Sequence, residues 1–303
     1  MQISKRLITF LLIVNFISSI NCFALEEGLV PPKRTIELYD ILGTMIDSDG
    51  NAADDYALSI ESLKNRSGEN PAIFSEYEFN LIKKGNQKSI CRFCPEHIDF
   101  LKNWPKEFKE YFKEITDHDK FVNRIIEYNK TDFDEKKREV NFIDTFEAEL
   151  IFGFHLERDN SISNDINMLG VLLQLGASEI LSNFYNTKGD TAKTELYDNY
   201  LRETKRIGDF LIDKKKRLAE DEEYALRILF KDPLKAWRIE AAYRYGIELA
   251  RHLKDKDVAR AKQATEILDI ALKKEKDPDV IKTFEDMKQT YSLPLKAAGI
   301  LWE

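Results

Sequence analysis

The sequence predicts an all-α fold, an antiparallel multi-helix array, on three observations. Glycine (12) and proline (8) together hold about half their usual share of a 303-residue chain, so few turn-formers remain for a many-stranded sheet. Apolar side chains recur at helical spacing through residues 134–157, 163–185 and 191–218. Capping residues punctuate those stretches where helices need their orphan backbone groups satisfied. Hydrophobic residues make up 43% of the chain and charged residues 33%, too apolar for disorder and too charged for a polytopic membrane protein.

The N-terminus reads as an address. Lys5 and Arg6 precede Leu7 to Ile20, an apolar run interrupted by Thr9, Asn15, Ser18 and Ser19. A helical membrane span needs about 20 apolar residues, so this run fits the core of a secretory leader better. Cys22 and Ala24 flank Phe23 as the small residues that precede a cleavage site, which predicts a signal peptide at 1–24 and a mature chain from Leu25. An uncleaved anchor and a lipoprotein modified on Cys22 are the alternatives. Against the second, Asn21 breaks the pattern expected before a lipidated cysteine. The leader implies a periplasmic or secreted protein, with a bacterial source favoured and no stable membrane span once it is removed.

Along the remaining chain, Pro31-Pro32 predicts an extended entry segment, and Thr35 to Ile46 a first short helix. Asp47-Ser48-Asp49-Gly50-Asn51 has acidic spacing like a calcium loop. Counting from Asp47, however, Ala52 and Leu58 occupy the positions where such a loop needs glycine and a bidentate glutamate. Helix capping by Asn51 or Asp54 is the simpler expectation. Asn70-Pro71 opens a helix over 71–84 that Gly85 is expected to stop. Pro95 and Pro105 open two more, the second with Phe108, Tyr111, Phe112 and Ile115 as a buried stripe, and Asp117 or Asp119 starts another. Residues 163–185 are apolar nearly all round, from Ile166 through Leu175, and are expected to form the central helix. A weak division is expected near residue 160, giving an N-terminal helical region at 25–160 and a C-terminal one at 161–303.

In the C-terminal region, Asp232-Pro233 precedes Trp237-Arg238, Glu240-Ala241-Ala242 and Tyr245-Gly246, and Asp277-Pro278-Asp279-Val280 repeats the opening 45 residues later. Asp257-Val258-Ala259-Arg260 and Ala264 lie between. Asp232 and Pro233 suit a helix start, and paired alanines let a neighbouring helix approach closely. These residues, about 232–292, resemble HEAT-like helical repeats, which implies an α-solenoid toward the C-terminus. Trp237 departs from the family's smaller aliphatic residue, and the last copy lacks both the arginine and the alanine pair. Gly50 to Tyr56 also resembles the opening of some uncharacterised exported bacterial proteins, a likeness that implies no function.

Chemistry concentrates in Cys91-Arg92-Phe93-Cys94-Pro95-Glu96-His97. In an oxidising compartment a disulfide between Cys91 and Cys94 is the leading expectation. A redox-active pair at a helix start, a zinc site using Cys91, Cys94 and His97 with His118 as a distant fourth ligand, and two separate thiols are the alternatives. Pro95 stands where c-type haem attachment needs histidine. His155 and His252 are expected to be solvated or to cap helix ends. Glu147 and Glu149, two apart on a helix, face different ways and make no catalytic pair. No catalytic residue, phosphate loop or cofactor site is read from the sequence.

The net charge of -8, or -10 once Lys5 and Arg6 leave with the leader, supplies no field for nucleic acid. The basic run Lys214-Lys215-Lys216-Arg217 before Glu220-Asp221-Glu222-Glu223 reads as a solvated helix face and end. The sequence therefore implies an exported helical module that binds another protein. An envelope redox or metal-binding protein using Cys91 and Cys94, and a structural envelope component, stand as the other readings.

Overall fold

A computed structural model describes residues 28–42, 48–65, 76–92, 135–158 and 164–300. Among the described residues it is all-α apart from one small parallel strand pair. After an extended segment comes a short helix, α1 (Leu38–Leu42), then β1 (Ser48–Asn51), α2 (Ala52–Asn65), α3 (Glu76–Asn86) and β2 (Lys88–Ile90). The long elements follow: α4 (Glu135–Arg158), α5 (Asn164–Lys188), α6 (Thr191–Glu220), α7 (Glu222–Lys231), α8 (Lys235–Lys254), α9 (Val258–Lys274) and α10 (Pro278–Ala297).

Local chemistry sets most helix ends. The side chains of Asp190, Asp221 and Asp257 accept from the backbone N–H three residues on, at 3.1, 3.0 and 3.2 Å, and so start α6, α7 and α9. Asp277 caps α10 with Pro278 at its first position, the pairing the sequence predicts. Asn51 caps α2 through Ala53 N–H (3.3 Å), also as predicted. Two expectations change. Gly85 lies inside α3 instead of stopping it, because a Cβ there would sit 2.5 Å from the Tyr56 ring; the glycine admits an aromatic side chain. Asp232 does not cap α8, which begins at Lys235 after Leu234, and is spent on a buried ion pair described below.

The strand pair is the element the sequence did not announce. β1 and β2 run parallel, with Ser48 opposite Lys88 and Asn51 opposite Ile90, and the α2–α3 hairpin supplies the crossover parallel strands require. A Ser-Asp-Gly-Asn strand carries no β pattern. Its pairing is won by a distant segment and not by local preference.

α5 is central, packed between α4 and α6 along its length. At the α4–α5 crossing the backbones nearly touch: a Cβ on Gly170 would lie 2.4 Å from the Gly153 carbonyl oxygen and 2.2 Å from Glu157 N. Val171 and Leu173 are buried as expected, while Leu172 is exposed. One core gathers Phe146, Leu150, Phe154, Leu181, Tyr197 and Tyr200; a larger one runs through Ile207, Leu211, Ile228, Trp237, Leu268 and Phe284. Toward the C-terminus α7 packs on α8, α8 on α9 and α10, and α7 on α9. Ala241 and Ala242 are fully buried at the centre of that array. The helices expected after Pro95, Pro105 and Asp117, and the turn at 159–161, lie outside the described residues.

Candidate functional site

The extended segment 28–36 lies in a groove formed by α4, α5, α6 and α7, and this groove is the most elaborate polar arrangement among the described residues. Pro31-Pro32 keeps the segment from becoming helical, as the sequence predicts. Its backbone is met by side chains: Tyr224 Oη donates to the Gly28 carbonyl (2.6 Å), Lys214 Nζ donates to the Leu29 carbonyl (2.5 Å), and the Glu203 carboxylate accepts from the N–H groups of Thr35 (2.8 Å) and Ile36 (3.2 Å). Thr35 Oγ1 also donates to Glu203. Partial burial works to raise the Glu203 carboxyl, but these hydrogen bonds outweigh it and hold it below the usual carboxylate range.

Arg34 is the segment's anchor. Its guanidinium pairs with Glu157, donates to Thr204 Oγ1 (2.6 Å) and Gln174 Oε1 (3.0 Å), and lies over the Tyr200 ring with 4.6 Å to the centroid. The wall is itself organised: Gln174 Nε2 donates to Glu157 (2.7 Å), and Tyr200 Oη donates to Gln174 Oε1 (2.5 Å). A planar, always-charged fork suits such a socket.

Lys214 corrects the reading of the basic run as a solvated face. It is 1% exposed, paired with Asp232 at 2.5 Å, and lies over the Trp237 ring at 4.6 Å. Burial pushes the Lys214 ammonium below its ordinary range and the Asp232 carboxyl above its own, and each partner's charge opposes the other's shift. Lys215 and Lys216 remain exposed, as expected.

A second buried arrangement joins α2, α3 and α4. Asn86 Nδ2 donates to the Ala148 carbonyl (2.9 Å), so its Oδ1 is turned to accept from Tyr56 Oη (2.8 Å). With its single proton committed there, the Tyr56 oxygen accepts from His155 Nδ1, 2.6 Å away. His155 Nε2 is then a buried acceptor with no hydrogen-bond partner. At 4% exposure His155 neither faces solvent nor caps α4, contrary to expectation. Burial, followed by the Arg158 charge, pushes it down to about 4.

The chain has no counterpart among protein-family models, curated proteins or solved structures.

Of the residues the sequence singles out, Cys91 is half-buried just after β2. Cys94, His97, His118 and Cys22 lie outside the described residues. The backbone beside Cys91 is held by Asn51, whose Oδ1 accepts from Arg92 N (2.8 Å) and whose Nδ2 donates to Arg92 O (2.8 Å). Beneath it Asp55 pairs with Lys88 and with Lys84 (2.9 Å). Among the described residues no cluster of three His, Cys, Asp or Glu side chains is placed to hold a metal. Glu147 accepts from Tyr197 Oη (3.2 Å) and burial raises its carboxyl, while burial pushes Glu149 up to about 8. Lys193 and Tyr197 bear on Glu147, whereas burial is the only influence on Glu149, so the two have separate surroundings. A cleft of 210 Å³ lies between α7, α8 and α9, bordered by Lys231, Lys274, Lys276 and the Arg238–Glu275 pair, joined at 2.8 and 3.2 Å.

Sequence reasoning missed Arg34 and Tyr56, and placed His155, Lys214 and Asp232 at the surface or at helix ends when they are buried. One signal was present: Ile207, Leu211, Lys214 and Leu218 share a helical face, so a lysine stood in register with core residues.

Proposed function

We propose that this chain is an exported helical module that binds another protein. The observation that carries the reading is the placement of Tyr243 and Ile247. They lie one turn apart on α8, 52% and 67% exposed, on a helix whose other faces are largely buried. Leu293 on α10 is 77% exposed. Large apolar side chains on the rigid central helix of an array are the groups that anchor protein contacts. The array in which α8 packs on α7, α9 and α10 offers the kind of extended helical surface that protein partners use. Export rests on the leader at 1–24, and no helix among the described residues is long and apolar enough to cross a membrane. The acidic balance speaks for a protein partner over nucleic acid.

The test is a photo-crosslinking residue at Tyr243 in the native host. One discrete adduct is expected, abolished by Ile247→Glu while thermal unfolding stays unchanged; repeated absence of any adduct would remove the reading. Intact-mass measurement of the native protein is expected to give a chain starting at Leu25. A second reading, an envelope redox or metal protein using Cys91 and Cys94, is favoured only by the rigid hold of Asn51 on the backbone beside Cys91. Thiol trapping separates the two. A bridge that resists mild reductant supports a structural disulfide, whereas an easily reduced pair supports redox chemistry.

A further inference from the structure

Residues 28–36 lie in their groove as a separate peptide would. Tyr224, Lys214 and Glu203 reach the segment's main chain, and contacts of that kind accept almost any sequence. Specificity comes from Arg34, read by the carboxylate, amide, hydroxyl and ring of Glu157, Gln174, Thr204 and Tyr200. Around Arg34 the groove presents Glu157 and Glu203, whose charges complement an incoming arginine, while Lys214 neutralises Asp232 at the other end. Val30 and Lys33 of the segment are exposed and contribute little packing. Docking also carries a cost. Closing the strap over Lys214 and Asp232 takes both charges out of water, which offsets much of what the contacts gain. Leu29, 1% exposed, also enters the larger apolar core, so a segment that displaces the strap must supply an equivalent apolar side chain beside its arginine.

We propose that this groove is a receptor for an extended, arginine-bearing segment of a partner protein, and that residues 28–36 occupy it in cis until that segment displaces them. The proposal rests on the reading of the chain as a protein-binding module and assigns the partner its chemistry. Because the strap is tethered, it competes at high effective concentration, so a free peptide meets a partly blocked groove.

The experiment uses the full chain and a fluorescein-labelled synthetic peptide with the sequence of residues 28–37. Binding is read by anisotropy, and strap release by deuterium exchange at Thr35 and Ile36, whose amides Glu203 protects. Arg34→Ala in the chain is expected to bind the peptide at least tenfold more tightly than wild type. Saturating peptide is expected to speed exchange at Thr35 and Ile36 in the wild-type chain, which needs no variant to fold. The same peptide with alanine in place of its arginine is expected to do neither. Unaltered exchange in the wild-type chain at saturating peptide overturns the proposal, as does equal binding of the arginine and alanine peptides. A dimer that grows with concentration and dissolves on adding peptide overturns it in favour of strap exchange between two copies. If the Tyr243 adduct persists while the peptide fails, the groove assignment falls and the module reading stands; loss of the adduct with intact peptide competition gives the reverse.

Discussion

A histidine kept neutral inside a protein ties stability to pH in one direction. His155 titrates at about 4 in the folded chain against 6.5 when unfolded, so the unfolded state binds the extra proton across that interval. Its contribution is fully present above about pH 6.5 and is lost as pH falls toward about 4, amounting to about 3 kcal/mol. Glu149 acts with the opposite sign: its folded value of about 8 lies above the ordinary 4.5, so its charge erodes stability as pH rises between them. Comparing urea unfolding of wild type with His155→Gln cancels the Glu149 contribution, which both share. The stability difference between wild type and variant is expected to grow by about 3 kcal/mol from about pH 4 to about pH 6.5; parallel pH profiles would contradict the buried, neutral assignment.

At the scale of the element, α5 contains two glycines with opposite roles. Gly170 sits where α4 and α5 nearly touch, and a methyl group there meets backbone atoms of Glu157 and Gly153 that cannot swing aside. Gly176 has no atom within 4 Å of its would-be Cβ. Gly170→Ala is expected to destabilise by about 3 kcal/mol through forced separation of the helices. Gly176→Ala is expected to stabilise by about 1 kcal/mol through helix propensity. Thermal unfolding of the two variants side by side checks the crossing, since a loose α4–α5 contact would give both the same sign. The sequence presents both residues as glycines inside an apolar helix. Only the neighbour across the interface distinguishes them.

For the molecule as a whole, the Lys214–Asp232 pair joins α6 to the end of α7 and, through the Leu29 carbonyl, to the N-terminal strap. Lys214→Met leaves a carboxylate buried without its counter-charge and is expected to cost about 3 to 5 kcal/mol. Adding Asp232→Asn keeps the acceptor for Leu234 N–H and removes the stranded charge, so the double variant is expected to recover more than half of that loss. Urea unfolding of the two single variants and the double one closes the cycle. Additive losses would mean that the pair is not coupled in solution.

The sequence by itself determined the helical class, the long elements from α4 onward and the helix starts at Asn51 and Asp277. Propensity, apolar periodicity and capping act among residues within a few positions of one another, so their record lies in contiguous text. The tertiary structure decided which polar groups go inside and whom they meet: Lys214 finds the Leu29 carbonyl 185 residues away, and Tyr56 finds His155 at a separation of 99. It also decided that Ser48 to Asn51 is a strand and that Gly85 is a seat for an aromatic ring. A buried charge or hydroxyl is tolerated only where a specific partner satisfies it. That partner is chosen by how the helices pack, a choice no local stretch of the chain records.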